Sequence, residues 1–195
     1  MRTLLLLLLC VSFCAQAGAQ KEEQLSTSVR AMLQKSISDM APPKLVFSSE
    51  QEGNVWLGEM SRRLEKRIPD RDFRLDFLKI VHYEATRAGL DPQLVLGLIQ
   101  VESGFKKYAV SSVGARGFMQ VMPFWVRSIG APDQNLFDRR VNLRYGCTIL
   151  RHYLDIEKGD LYRALGRYNG SLGQPEYPNM VVGAWHKQWS YRATF

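Results

Sequence analysis

Apolar residues recur at spacings of three and four along the segment that follows Asp70, and Gly89 ends this pattern. A period between three and four is that of an α-helix with one face in a core, and a glycine is a common residue just past a helix end. The segment therefore predicts an amphipathic helix. Its apolar positions are Phe73, Phe77, Ile80, Val81 and Ala85.

A second helix is predicted after Asp91-Pro92, because Asp91 can cap the first turn and proline is favoured at the first helical position. Its apolar residues cover almost every side, which is typical of a helix at the centre of a domain. Gly104 is well suited to end it. The apolar residues are Leu94, Val95, Leu96, Leu98, Ile99 and Val101.

Two more helices are predicted, one from a cap at Asp138 to a stop at Gly159 and one from Asp160 through Tyr168. No convincing alternating strand pattern accompanies them, so the fold is expected to be mainly α-helical. Residues 20–70 are predicted to form an N-terminal arm or peripheral helical extension, interrupted by prolines after Ala41, and residues 71–195 the main domain.

The first residues are predicted to be a secretory signal peptide, 1–19. Arg2 gives a positive start, Leu4–Leu9 an apolar stretch, and Ala15–Ala19 small-residue cleavage sites. A membrane anchor is the alternative, but the apolar stretch is shorter than the roughly 20 residues that span a bilayer. We expect an exported protein that is located in the periplasm.

Net charge and the numbers of cysteine and histidine residues limit the partners and the kinds of site that are expected. The formal net charge is +7, which favours anionic surfaces, while export and the lack of a binding motif argue against nucleic acid. Cleavage of the signal would leave Cys147 as the last cysteine, expected to act as a small buried apolar residue. His82, His152 and His186 stand singly, without metal-ligand spacing, so no metal or other cofactor is expected.

Glu102 is an unusual residue for the last turn of a buried helix. Apolar surroundings disfavour a charged carboxylate, and so does the C-terminal end of the helix dipole. Such a group should hold its proton to a higher pH than a free glutamate, which is what a general acid requires. On this residue alone, a carboxylate that points to solvent at a frayed helix end is the simpler interpretation.

The segment after Glu102 favours the interpretation of Glu102 as a general acid. Gly114 and Gly117 permit positive φ angles, and Ser111, Ser112 and Gln120 offer uncharged hydrogen-bonding groups. Phe118, Met119 and Met122 add apolar surface, although each is equally consistent with an ordinary core position. A cleft of neutral polar groups and apolar walls suits a sugar that carries N-acetyl groups.

Three motifs together resemble the soluble lytic transglycosylase (SLT) domain, a lysozyme-like family that cleaves bacterial cell-wall glycan. They are Glu102-Ser103, the run from Ser111 to Pro123, and Tyr168-Asn169-Gly170. The likeness extends over about residues 75–175. It implies a mainly α, lysozyme-like (goose-type lysozyme or SLT) domain with a substrate cleft, with residues 71–195 as the catalytic domain.

The resemblance also implies roles for individual residues. Glu102 matches the catalytic acid, and Tyr168 the tyrosine that faces it, with Asn169 supporting the turn. Sugar subsites are expected beside the acid. The residues that the resemblance places there are Ser111, Gln120 and Met122. The segment from Tyr177 to Trp189 matches the C-terminal pattern of the family only loosely.

A single acid also predicts the reaction. Ordinary glycosidases use two carboxyl groups, whereas one acid needs a group of the substrate, here the 2-acetamido carbonyl of N-acetylmuramic acid. We expect a peptidoglycan lytic transglycosylase that forms 1,6-anhydromuramoyl ends and acts as a monomer on glycan strands. The alternatives are a hydrolytic muramidase and a non-catalytic wall-binding or assembly protein. Residues 20–70 could contact an envelope or secretion-machinery partner.

Overall fold

The computed structural model describes residues 20–38, 41 and 43–191. The predicted signal peptide, residues 1–19, lies outside this range. Within it the secondary structure is helical, and β-type pairing is limited to isolated bridges at Arg116. The helices are α1 Thr27–Ser38, α2 Glu50–Leu64, α3 Arg71–Arg87, α4 Pro92–Ser103, α5 Pro123–Ile129, α6 Arg139–Ile156, α7 Leu161–Asn169 and α8 Glu176–Ala184, followed by a π turn, Trp185–Trp189.

The four helices predicted from the sequence are confirmed as α3, α4, α6 and α7. Each begins after an aspartate whose side chain accepts a hydrogen bond from a backbone N–H of the first turn. Gly104 and Gly170 end α4 and α7 with φ angles of 57° and 83°, a backbone region in which glycine has no Cβ clash. The starts of the four helices and the ends of α4 and α7 are therefore stabilised by residues that lie next to them in the sequence.

Helix α4 lies at the centre of the domain, as its apolar character predicts. It packs against α3, α8 and the π turn. Gly97 makes the last contact possible, since a Cβ there would lie 2.9 Å from the backbone nitrogen of Trp185. The residues of α4 buried in the core include Leu94, Val95, Leu96, Leu98 and Ile99.

Residues 20–70 contribute two helices to this core. In α1, Leu33 and Ile37 are buried, and in α2, Met60 and Leu64 are buried in the same hydrophobic cluster. Helix α1 packs on α5 and α6, and α2 packs on α3. The boundary expected at residue 70 stays a prediction, but burial of these residues shows that both helices share the core of the main domain.

A buried ion pair joins α3 to α6. Arg144 Nη2 lies 2.8 Å from Glu84 Oε1, and both side chains are almost fully inaccessible. Arg144 also donates to the carbonyl of Ile37 at the end of α1. A buried charge without its partner costs several kcal/mol, about 3 to 5. The pair therefore fixes how these three helices meet.

None of the helices in the described ranges combines the length and apolar character needed to cross a lipid bilayer.

Candidate active site

Glu102 occupies the last turn of α4 and is only 5% exposed. The left-handed Gly104 turns the chain away immediately after it. Oε1 of Glu102 accepts a hydrogen bond from the hydroxyl of Tyr177, and Oε2 is buried without a partner among the described residues. The carboxyl group is thus held beside Tyr177 and is not exposed at a frayed helix end.

Burial raises the pKa of Glu102 to about 8, and the hydrogen bond from Tyr177 opposes this rise. Desolvation disfavours the charged carboxylate, whereas a donated hydrogen bond stabilises it. The direction predicted from the sequence is confirmed. At neutral pH the group holds a proton that it can donate, and it has a partner ready to stabilise the carboxylate left behind.

Tyr177 is the site residue that sequence reasoning missed. It lies in the first turn of α8 and is 4% exposed. The resemblance assigned the tyrosine beside the acid to Tyr168 and treated the segment from Tyr177 to Trp189 as loosely matched. The sequence shows Tyr177 only as an aromatic residue in an otherwise polar stretch. This pattern does not reveal its contact with Glu102, 75 positions earlier.

Tyr168 lies near Glu102 but uses its hydroxyl elsewhere. The hydroxyl donates to the carbonyl of Met119 at 2.7 Å, and the ring is fully buried. Burial raises the pKa of Tyr168 well above its usual value, and the charge of Glu102 acts in the same direction. In the structure Tyr168 supports the backbone before Gln120, and its role toward substrate stays a prediction.

Asn169 is the last residue of α7, next to the left-handed Gly170. Its Nδ2 donates to Ser171 Oγ at 3.0 Å, and its Oδ1 is buried without a partner among the described residues. The amide therefore contacts the turn after α7 and leaves one acceptor for a further contact, and its role at the site stays a prediction.

Residues 106–121 form a loop that covers the end of α4, and Ser111 and Gln120 shape it from within. Ser111 closes a turn, because its Oγ accepts from the Ala115 N–H and its own N–H donates to the Ala115 carbonyl. Gln120 has a positive φ of 47° and donates through Nε2 to the carbonyls of Ala109 and Gly117. Met122 follows, partly buried, at the N-cap of α5.

Two further residues hold this loop against the helices, and neither was predicted. Ser103 Oγ donates to the carbonyl of Phe118 at 2.7 Å. Asn142 of α6, fully buried, accepts from the Met119 N–H at 2.8 Å and donates to the carbonyls of Arg116 and Leu136. Together they fix the loop from both α4 and α6.

No second carboxylate contributes to the pKa of Glu102 among the described residues. Asp138 and Asp160 cap helices, as predicted. Glu157 pairs with Arg163 and Arg167, and Asp155 pairs with Arg151. Asp133 and Glu176 are exposed. The site thus has one acid and one tyrosine donor.

The remaining candidate groups do not form a metal site within the described ranges, where no three His, Cys, Asp or Glu residues come together. Cys147 is buried in α6, and burial raises its pKa well above the usual value. It is therefore a protonated core residue at neutral pH. Burial also lowers the pKa of His82 to about 4 and lowers that of His152.

Comparison with known proteins identifies related sequences. A "Transglycosylase" of Enterobacteria phage PRD1 is 35% identical over 103 residues, which cover 53% of this chain and 38% of the phage protein. The "Membrane-bound lytic murein transglycosylase C" of Actinobacillus pleuropneumoniae serotype 5b (strain L20) is 49% identical over 93 residues, covering 47% and 24%. The chain thus spans well under half the length of these relatives.

Among solved structures, an inactive mutant of the lytic transglycosylase Slt from Pseudomonas aeruginosa aligns with 65% of this chain and 22% of its own, at 26% identity and a TM-score of 0.45. The sequence profile of the Transglycosylase SLT domain matches residues 79–179. This range holds Glu102, Tyr177 and the loop between α4 and α5, and it covers just over half of the chain. The protein therefore belongs to the transglycosylase SLT domain family.

Proposed function

We propose that this protein is a peptidoglycan lytic transglycosylase that cleaves the β-1,4 bond between N-acetylmuramic acid and N-acetylglucosamine and forms 1,6-anhydromuramoyl ends. The observation that carries the proposal is the buried carboxyl group of Glu102, with a pKa of about 8 and a hydrogen bond from Tyr177. Membership of the SLT domain family supports the substrate class.

In the first step Glu102 acts as the general acid. Oε1 is bound by Tyr177, so Oε2 is the oxygen available to carry the proton. The proton passes to the glycosidic oxygen as the bond from that oxygen to the anomeric carbon breaks. The 2-acetamido carbonyl of the same sugar stabilises the positive charge that develops at this carbon.

In the second step Glu102, now a carboxylate, acts as the general base. It takes the proton of the muramoyl 6-hydroxyl as that oxygen forms a bond to the anomeric carbon. The acid is restored, and no water is consumed. The Tyr177 hydrogen bond stabilises the carboxylate in the interval between the two steps.

The single acid favours this route over hydrolysis by a pair of carboxyl groups. Retaining and inverting glycosidases place two carboxyl groups about 5 to 9.5 Å apart across the bond. In the described part of the chain, the pKa of Glu102 is set by burial and by Tyr177, without a contribution from another carboxylate. The missing second group is therefore assigned to the substrate.

The proposal includes export to the periplasm, where the substrate is located, with removal of residues 1–19. Removal of Arg2 with the signal leaves 25 basic and 19 acidic residues, a formal net charge of +6, which favours contact with an anionic wall or envelope surface. Mass spectrometry of the protein purified from the periplasm would show a chain that begins at Gln20. Recovery of an intact chain from the cytosol would contradict this part of the proposal.

Digestion of purified sacculi tests the reaction. Wild-type protein should release soluble fragments whose ends are lighter by one water than reducing ends, and Glu102→Gln should release none. Fragments with reducing ends would identify a hydrolytic muramidase. Binding of both proteins to sacculi without release of fragments would identify a wall-binding protein and overturn the proposal.

A further inference from the structure

Cationic and aromatic side chains lie next to one another on the loop that covers α4 and on the segments beside it. We call Lys107, Tyr108, Phe137, Arg116 and Arg127 the basic strip. Lys107 Nζ lies 5.0 Å from the ring centroid of Tyr108, the Tyr108 and Phe137 rings are 5.8 Å apart, and the Arg116 guanidinium lies 5.9 Å from Phe137. Arg127 extends the strip on α5.

Three residues of the strip are exposed, Lys107 and Phe137 are partly buried, and the charges have no ion-pair partner among the described residues. Tyr108 is 70% exposed, and Arg116 and Arg127 are also exposed. Across the described ranges, no carboxylate forms an ion pair with Lys107, Arg116 or Arg127. Arginines elsewhere in the chain commonly have such partners, including Arg139 with Asp76, Arg144 with Glu84, Arg151 with Asp155, and both Arg163 and Arg167 with Glu157.

A cavity of about 270 Å³ opens between the two arginines. Arg116 and Arg127 line it together with the apolar residues Pro123, Val126 and Leu136. Its lining therefore combines two positive charges with apolar walls and contains no acidic residue. This combination suits a flexible ligand that carries carboxylates on an aliphatic backbone.

The cavity lies directly beside the residues predicted to contact sugar. The backbone of Arg116 pairs in both directions with Val121, which stands between Gln120 and Met122. Pro123, the residue after Met122, is part of the cavity wall. A glycan strand bound at Met122 would therefore lie beside the cavity wall at Pro123.

We propose that the basic strip binds the free carboxylates of the peptide attached to the muramoyl residue, and that the protein prefers peptide-bearing glycan over naked glycan. This inference rests on the proposed function. The muramoyl sugar carries its peptide next to the bond that is cleaved, and the acidic residues of that peptide supply carboxylates. Arg116 and Arg127 bind them, and Tyr108 and Phe137 provide apolar contact for the aliphatic parts.

The test compares peptide-bearing glycan strands with strands from which an amidase has removed the peptides. Binding is measured on Glu102→Gln protein, which should leave both ligands intact, at two salt concentrations. We expect the added double substitution Arg116→Gln/Arg127→Gln to weaken binding of peptide-bearing strands about fivefold. Binding of naked strands should stay within about twofold, and the difference should shrink at high salt.

Two matched variants distinguish the effect of the position of the two arginines from the effect of the total charge of the protein. Arg71→Gln/Lys79→Gln removes two exposed cations that line a different groove and should leave the preference unchanged. Arg116→Lys/Arg127→Lys keeps both positive charges and should retain most of the preference for peptide-bearing strands. Equal losses from the strip variant and the groove variant, or equal losses on both kinds of strand, would overturn the inference.

Vesicles of anionic phospholipid provide the last comparison. If the strip variant lost vesicle binding but kept its preference for peptide-bearing strands, the strip would be a membrane contact and the inference would be wrong. Turnover is measured separately with wild-type protein. Absence of cleavage would remove the proposed function, while the binding data would still decide whether the strip recognises the peptide.

Discussion

The hydroxyl of Tyr177 donates a hydrogen bond to Oε1 of Glu102, joining α8 to the last turn of α4. This contact opposes the effect of burial on the pKa of Glu102. The acid must lose a proton and then regain one in a cycle of glycan cleavage. A donor that stabilises the carboxylate keeps both steps accessible.

Tyr177→Phe should lower kcat by about 10- to 100-fold, because a hydrogen bond to a charged group contributes about 1.5 to 3 kcal/mol. Without the donor the pKa of Glu102 rises further. Activity requires the protonated acid, so the alkaline limb of the kcat profile, expected near pH 8 in wild type, should move to higher pH. A lower kcat with an unmoved limb would show that Tyr177 acts only on packing.

Tyr168→Phe provides the contrasting change. Its hydroxyl donates to the Met119 carbonyl, so removal should reduce the free energy of unfolding by about 1 to 2 kcal/mol and leave the alkaline limb in place. Denaturant unfolding and a kcat profile on soluble glycan measure the two effects. A shifted limb in Tyr168→Phe would assign this hydroxyl to the acid as well.

Glu102→Gln should stabilise the fold at neutral pH. The carboxyl group has a pKa of 4.5 when unfolded and about 8 when folded. Between these values the unfolded state has lost a proton that the folded state keeps, so stability falls as pH rises from 4.5 toward 8. The variant should be more stable by about 3 kcal/mol at pH 7, and the advantage should vanish below pH 4.5. If wild type and Glu102→Gln had equal unfolding free energies both at pH 7 and below pH 4.5, burial of the acid would be contradicted.

His82→Leu should make the folding stability less sensitive to acid pH than it is in wild type. His82 is buried against Phe47 and Trp56, and burial lowers its pKa from 6.5 to about 4. Its neutral form is the one the fold accepts, so stability is fully present above pH 6.5 and falls as pH drops toward 4. The expected loss in wild type is on the order of 2 to 3 kcal/mol. Thermal unfolding between pH 7 and 4 should show a flatter profile for the variant.

Asn142→Leu should release the loop that covers α4. The substitution leaves the Met119 N–H and the carbonyls of Arg116 and Leu136 without their partner. The expected cost is about 2 to 4 kcal/mol, with faster amide exchange at Met119. Thr148→Val in the same helix serves as the control, because Thr148 does not contact this loop. Unchanged exchange at Met119 would mean that Asn142 is not needed to hold the loop, which Ser103 and Tyr168 also contact.

The sequence was sufficient where the information is local. Helix α3 was predicted from the spacing of its apolar residues and the stop at Gly89, and α4, α6 and α7 from an aspartate at the start of each helix. The raised pKa of Glu102 followed from its place at the end of an apolar helix. In both cases the determining groups lie within a few residues of one another along the chain.

Contacts between distant segments were not predictable in this way. The pattern of residues 20–70 predicted only an arm or peripheral extension, and it did not reveal that Ile37 of α1 and Met60 of α2 are buried in the common core. Asn142 looked like an ordinary helix residue, although it binds the loop more than twenty residues earlier. Tyr177 was missed for the same reason, since its partner lies across the whole catalytic segment.

The π turn after α8 has a consequence for the order of events in folding. Trp189 donates to Gln100 of α4 at 2.9 Å, and Arg63 of α2 binds the carbonyls of Gln188 and Ser190. In a chain whose α8 and π turn have not yet packed on α4, Glu102 is an ordinary solvated glutamate. The acid acquires its unusual proton affinity only when these elements have docked.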